Sequence, residues 1–342
     1  MKPNITKDIL QVTEIGDVPD PDKEPDLKAE WLEKLLKAAY PAKCLKDVDL
    51  PEREPILGGW LMEGDLGFIY GPRGLGKTWL GLHIARKIAE GGSVADWKVE
   101  KPRRVLYVDG EMPFDEMRRR DVGLTGAETD NLFYLQHEAL FHFTGGILNL
   151  ALPVVQEALL ELCKKEAFAV LVLDNLSCLF NGVNENDADA WEQVLPWLLS
   201  LRRERISVIF IAHAGRNGLM RGTSRREDAA FWIIRLDEAK DLTDGEGGAR
   251  FISRFVKNRN PAEAEPSLEW RFKKSGEDGR IGVSWKKLST QEILRECVED
   301  GLTSATDIAA EMEISKGMVS RLAARAIKDG WLKKDGRDYA LV

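Results

Sequence analysis

Gly71-Pro72-Arg73-Gly74-Leu75-Gly76-Lys77-Thr78 carries the densest chemistry in this 342-residue chain. The spacing is G-x-x-x-x-G-K-T. Glycines let a backbone wrap closely around an anion with its N–H groups turned inward. The lysine adds a point charge, and the threonine hydroxyl suits a hard divalent cation. A chain of phosphates is what this pattern holds. The reading is therefore that Gly71, Pro72, Arg73, Gly74, Leu75, Gly76, Lys77, Thr78 and Trp79 bind ATP. Lys77 reaches the β- and γ-phosphates, and Thr78 binds Mg²⁺.

Such a loop must be placed between a strand and a helix. Leu66-Gly67-Phe68-Ile69-Tyr70 before it is short and apolar, and Thr78–Ala89 after it is apolar at helical spacing. The helix N-terminus adds its partial positive charge to the site.

Further carboxylates stand where strands end. Asp174 closes the aliphatic run Ala169–Leu173, and such a residue holds Mg²⁺. Hydrolysis also needs a group that orients or deprotonates water. No acid follows Asp174 directly, because the next residue is Asn175. Glu111, in Asp109-Gly110-Glu111 after the run Arg104–Val108, is the favoured residue, with Asp109 as the alternative. His213 ends the run Ser207–Ala212, where a hydrogen-bonding side chain can sense the γ-phosphate.

These strands lack polar alternation, so they read as strands buried on both faces of a parallel sheet. Leu132–Leu135 is a third short strand. Helices are expected near 153–165 and 187–204. Strands alternating with helices imply a doubly wound α/β domain. Ala230–Leu236 and Arg250–Lys257 flank the turn Asp244–Gly248 and read as a hairpin extending the sheet. A charged, glycine-bearing stretch, Lys273–Arg280, precedes the end of this domain.

Composition sets the outer limits. The chain is 44% hydrophobic and 31% charged, with net charge −8. No apolar run is long enough to span a membrane, and the first residues lack a signal-peptide core. The four cysteines show no paired spacing, which fits a reducing cytoplasm. Residues 1–55 are acidic and contain one amphipathic helix, over 30–39. Charge reverses at the other end: residues 315–342 carry 7 Lys/Arg against 3 Asp/Glu. A basic segment on an acidic chain is a local signal for nucleic acid that the total hides.

That end has its own pattern. Helices are expected over Thr290–Cys297, Ala305–Met312 and Lys316–Ile327, followed by strand, turn and strand over 331–341. This is a winged helix-turn-helix over 289–342. Lys316, Ser320, Arg321 and Arg325 share one face of the third helix, and Lys333, Lys334 and Arg337 lie on the wing. Both sets suit duplex DNA, although many winged helices dock proteins instead.

The loop GPRGLGKT, then YVDGEMP, VLVLDNLS, IAHAGRNGLMRGTSRRED and FVKNRN, in this order, resemble RecA-fold ATPases of the RepA type, which are hexameric helicases of plasmids and phages. The match covers roughly 56–272, and the RecA-like ATPase domain is taken as 56–285. The resemblance implies a homo-oligomeric ring, a hexamer, with ATP between subunits. It implies that Asn181–Asp189 and Ala214–Asp228 face a pore carrying single-stranded DNA, gripped by Arg216, Arg221, Arg225 and Arg226. It implies that Lys257 and Arg259 reach the neighbouring subunit's γ-phosphate, with Arg221 or Arg226 as substitutes. The expected function is a DNA helicase or translocase. The rivals are an ATP-switched DNA-binding regulator and a RecA-like filament or annealing protein.

Overall fold

The structure is a computed structural model. It describes residues 27–342 apart from 125–127, 183–187, 216–217, 222–223, 240–247, 261–264, 276–278 and 313, and without the side chains of 188–190, 224 and 225. It divides into two units, up to Glu52 and Arg53–Val342. In the first, Leu27–Ala38 is an α-helix, starting a turn earlier than expected, and Ala42–Asp47 is a 3₁₀ turn. Lys34 pairs with Glu30 and Lys37 with Glu33 at i,i+4, which adds little at an exposed surface. The helix leaves Trp31, Leu32, Leu35 and Leu36 exposed.

The second unit is built on nine strands. They are β1 Leu66–Gly71, β2 Val105–Asp109, β3 Leu132–Gln136, β4 Val170–Asp174, β5 Ser207–His213, β6 Trp232–Glu238, β7 Ala249–Asn258, β8 Leu268–Ser275 and β9 Arg280–Lys287. Their order in the sheet is β9-β8-β7-β6-β1-β5-β4-β2-β3. From β6 to β3 every pairing is parallel; β6 through β9 form an antiparallel extension. The helices that matter for the site are α1 Lys77–Glu90, α2 Phe114–Gly123, α3 Pro153–Lys165 and α4 Ala188–Arg203.

The unbroken apolar strands are explained by cover on both sides. Ile69, Val170, Val172, Ile209 and Ile211 face one core with α1. Phe68, Leu171, Leu173, Val208 and Phe210 face a second core with α3 and α4. Each strand therefore alternates between two buried faces rather than between core and water. Gly67 shows how closely this is packed. A Cβ there would lie 2.0 Å from the fully buried Trp232 ring. Overpacking of this kind costs about 1–3 kcal/mol, so Gly67→Ala should lower the urea midpoint clearly; an unchanged midpoint would show that Trp232 yields.

The expected hairpin is β6–β7. Of the stretch Lys273–Arg280, 276–278 lie outside the described residues, while Lys273–Ser275 and Arg280 belong to the antiparallel pair β8–β9, which is not among the sequence expectations. Beyond it lie α5 Thr290–Glu299, α6 Ala305–Glu311, α7 Lys316–Lys328 and the antiparallel pair β10 Leu332–Asp335 and β11 Asp338–Leu341. Serines set the helix starts. Ser289 forms a capping box with Glu292, and Ser304 and Ser315 cap α6 and α7. Val319, Ala323 and Ala326 of α7 join Leu294, Ile308 and Leu332 in a core of their own. Arg254–Glu296 (2.8 Å) and Arg235–Glu311 (2.6 Å) tie this module to β6 and β7.

Candidate nucleotide site

Register alone brings the expected residues into one row. Asp109 on β2 pairs with Asp174 on β4, and Gly71 on β1 pairs with His213 on β5. All four lie at the carboxyl edge of the parallel sheet, where the loop after β1 opens into α1. A cavity of about 540 Å³ lies there, and Lys77, Thr78, Glu111, Asp174 and His213 are among its walls.

The loop needs its glycines. Gly74 and Gly76 have φ of +76° and +115°, the left-handed region that other residues avoid. A Cβ on Gly76 would also lie 2.7 Å from Ala249 Cβ and 2.8 Å from Phe251. β7 thus packs directly against the loop. Lys77 is buried and donates to the carbonyls of Gly71 (3.1 Å) and Pro72 (2.6 Å). Burial pushes its ammonium down to about 8, while Asp174 and Glu111 pull the other way.

Asp174 is buried, and its carboxylate accepts from the Tyr107 hydroxyl at 2.7 Å, with Thr78 beside it in the cavity wall. Burial raises its pKa, opposed by the nearby Tyr107 and Thr78 hydroxyls and by Lys77. The peptide to Asn175 is cis. Asn175 donates from Nδ2 to Glu111 Oε2. Glu111 is exposed to the cavity. Asp109 differs: it is 2% exposed, and its Oδ2 accepts from the Met112 N–H at 2.9 Å. Burial and then the Asp174 charge raise its pKa to about 7. Asp109 is thus committed to the turn, while Glu111 faces open space.

Three residues at the site are not among the sequence expectations. Arg120 of α2 lines the cavity, donates to Glu116 at 2.8 Å and stacks over the Trp79 ring at 4.9 Å. The i,i+4 spacing of Glu116 and Arg120, shortly after Glu111, is the signal for it in the sequence. Asn175 enters the sequence argument only as a missing acid. Tyr107 lies two residues before Asp109, on the same strand face.

Other expected residues lie elsewhere. β7 runs antiparallel, so Asn258 pairs with Trp232, which in turn pairs with Gly67. Lys257 and Arg259 therefore sit at the opposite end of the sheet from Gly71, roughly 13 Å away along β1 at 3.3 Å per residue. Lys257 donates to the Glu227 carbonyl, and Arg259 is exposed. Arg216 and the Arg225 side chain fall outside the described residues. Arg221 is half-buried, and its N–H bonds the His213 carbonyl at 3.0 Å. Arg226 corrects the expectation of a DNA contact. It is 3% exposed, stacks over Trp191 at 5.1 Å and donates to the Arg221 carbonyl. Packed this way it supports the segment from within. In the C-terminal module Lys316, Ser320, Arg321 and Arg325 are all exposed on α7, as are Lys333, Lys334 and Arg337 on β10 and the following turn.

Residues 33–218, more than half of the chain, match the family described as AAA domain. The chain belongs to that family. This AAA domain is also similar to DNA repair protein RadA of Campylobacter jejuni, with 29% identity over 217 residues, 58% of this chain and 43% of the relative. The RadA of Aquifex aeolicus is 30% identical over 212 residues, 59% of this chain and 39% of the relative. The chain spans about two fifths of these relatives. Among solved structures, a KaiC-like protein from Pyrococcus horikoshii aligns with a TM-score of 0.47 and 17% identity over 68% of this chain and 99% of its own. The flagellar accessory protein FlaH of Methanocaldococcus jannaschii gives 0.45 and 16% over 65% and 90%. The phosphate loop, the mostly parallel sheet and the family together make the chain a RecA-like P-loop ATPase. Among the described residues no helix is long and apolar enough to cross a membrane.

Proposed function

We propose that this AAA domain is an ATP-driven, ring-forming DNA motor of the RepA type. Gly71–Trp79 hold the triphosphate. Thr78 and Asp174 suit Mg²⁺: they are hard oxygen donors in the wall of the same cavity. When bound, the ion neutralises charge on the β- and γ-oxygens. Glu111, steadied by Asn175, takes the proton of the attacking water. His213 relays the state of the γ-phosphate into the segment that follows it, where Arg221 and Arg216 meet single-stranded DNA.

The observation that carries the reading is the separation of Lys257 and Arg259 from the cavity of their own subunit. If these cations serve a γ-phosphate it is a neighbour's, the arrangement that ATP held between subunits of a homo-hexameric ring would use. The exposed cations of α7 and the wing support a winged helix-turn-helix on duplex DNA, and RadA relatives named for DNA repair agree with a DNA substrate.

The test is strand displacement on a duplex with a single-stranded tail. Wild-type chain with ATP and Mg²⁺ should release the strand, and ATP turnover should rise with single-stranded DNA. ATP-dependent duplex binding without displacement would favour a regulator. Arg321→Glu should weaken duplex binding and flatten its salt dependence, by about 0.9 in log–log slope for each phosphate that is no longer neutralised. Unchanged affinity would make the module a protein-docking one.

A further inference from the structure

We propose that Tyr107 is a positioning residue for the metal site, its hydroxyl fixing the Asp174 carboxylate from behind; this rests on Asp174 as the Mg²⁺-holding carboxylate. Tyr107 lies on β2 opposite Val172 of β4, two residues before the Asp109–Asp174 pair. Residues two apart on a strand share a face. Its side chain therefore runs along the sheet toward the end of β4, and its hydroxyl donates to Asp174 Oδ2 at 2.7 Å. Tyr107 has no exposed surface.

The helix above encloses the contact. A Cβ on Gly81 of α1 would lie 3.4 Å from the Tyr107 hydroxyl and 2.4 Å from Ile211 Cδ1. Glycine lets α1 sit low enough to cover the hydroxyl while its first turn still presents Thr78 to Asp174. A carboxyl group otherwise turns about its terminal torsion, which is broad. With Oδ2 anchored from the sheet side, that rotation is blocked. The remaining lone pairs stay available to Thr78 and the cavity. Phenylalanine would fill the same volume, so packing alone does not call for the hydroxyl. Partners of this kind hold metal ligands in place, and their loss costs about 10–100-fold in metal affinity.

The same sheet supplies a control. Tyr134 on β3, its ring 6.0 Å from that of Tyr107, donates to Asp121 at 2.6 Å. Asp121 is not among the residues lining the cavity. Each tyrosine loses one hydrogen bond when changed to phenylalanine, a buried one for Tyr107 and a part-buried one for Tyr134, but only the first ends at Asp174.

The experiment measures binding of a fluorescent, non-hydrolysable ATP analogue to the full chain, first with EDTA and then across a Mg²⁺ titration. Tyr107→Phe should bind the analogue as wild type does in EDTA, yet need about tenfold more Mg²⁺ for half-saturation. Tyr134→Phe, matched for thermal stability, should keep the wild-type Mg²⁺ midpoint. A Tyr107→Phe midpoint within twofold of wild type overturns the proposal, as does an equal shift in Tyr134→Phe. Asp174→Asn separates the two levels. If it too leaves the midpoint unchanged, the assignment of Asp174 itself is wrong. If it shifts the midpoint while Tyr107→Phe does not, only the role of Tyr107 falls.

Discussion

Glu111→Gln should bind ATP as tightly as the wild-type chain and hydrolyse it orders of magnitude more slowly. Glu111 is an acid on the cavity wall whose carboxylate is not taken up by a backbone cap. Its Oε2 accepts from Asn175, which fixes its direction without removing its capacity for a proton. Glutamine keeps an acceptor for Asn175 and nearly the same shape, so the loop and the nucleotide contacts should survive. What is lost is the base, and general bases contribute about 10²–10⁴-fold. Asp109→Asn is the comparison. Its oxygen caps the turn at Met112, a bond asparagine can also accept, so most turnover should remain. Single-turnover hydrolysis with both variants decides the matter. Normal hydrolysis by Glu111→Gln together with a dead Asp109→Asn would exchange the two assignments.

Much of this site is legible in the sequence because its parts are local. The phosphate loop, its strand and its helix are contiguous, and Asp174, Glu111 and His213 each end or follow a short, β-branched-rich apolar run of strand length. Parallel register then aligns those ends without further information. The pair β8–β9 carries a different signal, which the apolar-run criterion passes over. Leu268, Trp270 and Phe272 alternate with Glu269, Arg271 and Lys273, the pattern of a sheet with one covered face, whereas the central strands are unbroken apolar runs. Arg226 differs from expectation because its charge suggests solvent. Its planar guanidinium instead lies on Trp191 with a carbonyl to bond, a pairing that no spacing rule reveals. Tyr107 and Arg120 depend on contacts between elements, which fix them only once β2, β4 and α1 have packed. The C-terminal helices are legible from their serine caps and periodicity.

Arg259→Ala should bind ATP nearly as wild type does and hydrolyse it about 10³-fold more slowly, the usual scale of a cation supplied in trans. Lys77 and the acids Glu111 and Asp174 share the cavity wall. Arg120 and Arg73 are further cations in its wall; Arg120 is held by Glu116 and stacked on Trp79, and Arg73 belongs to the phosphate loop itself. Arg259 stands exposed at the other end of the sheet, beyond its own subunit's reach. If a neighbour supplies it, turnover of the wild-type chain must rise steeply with protein concentration, because isolated subunits lack the cation. The decisive measurement mixes Arg259→Ala with Glu111→Gln. Each is defective alone, but an interface with Glu111 from the first variant and Arg259 from the second is complete. Mixing should therefore restore part of the turnover, in proportion to the fraction of such interfaces. Full turnover by Arg259→Ala would remove it from the reaction. No recovery in mixtures shown to co-assemble would place the missing cation elsewhere, with Lys257 or Arg221 the next residues to change.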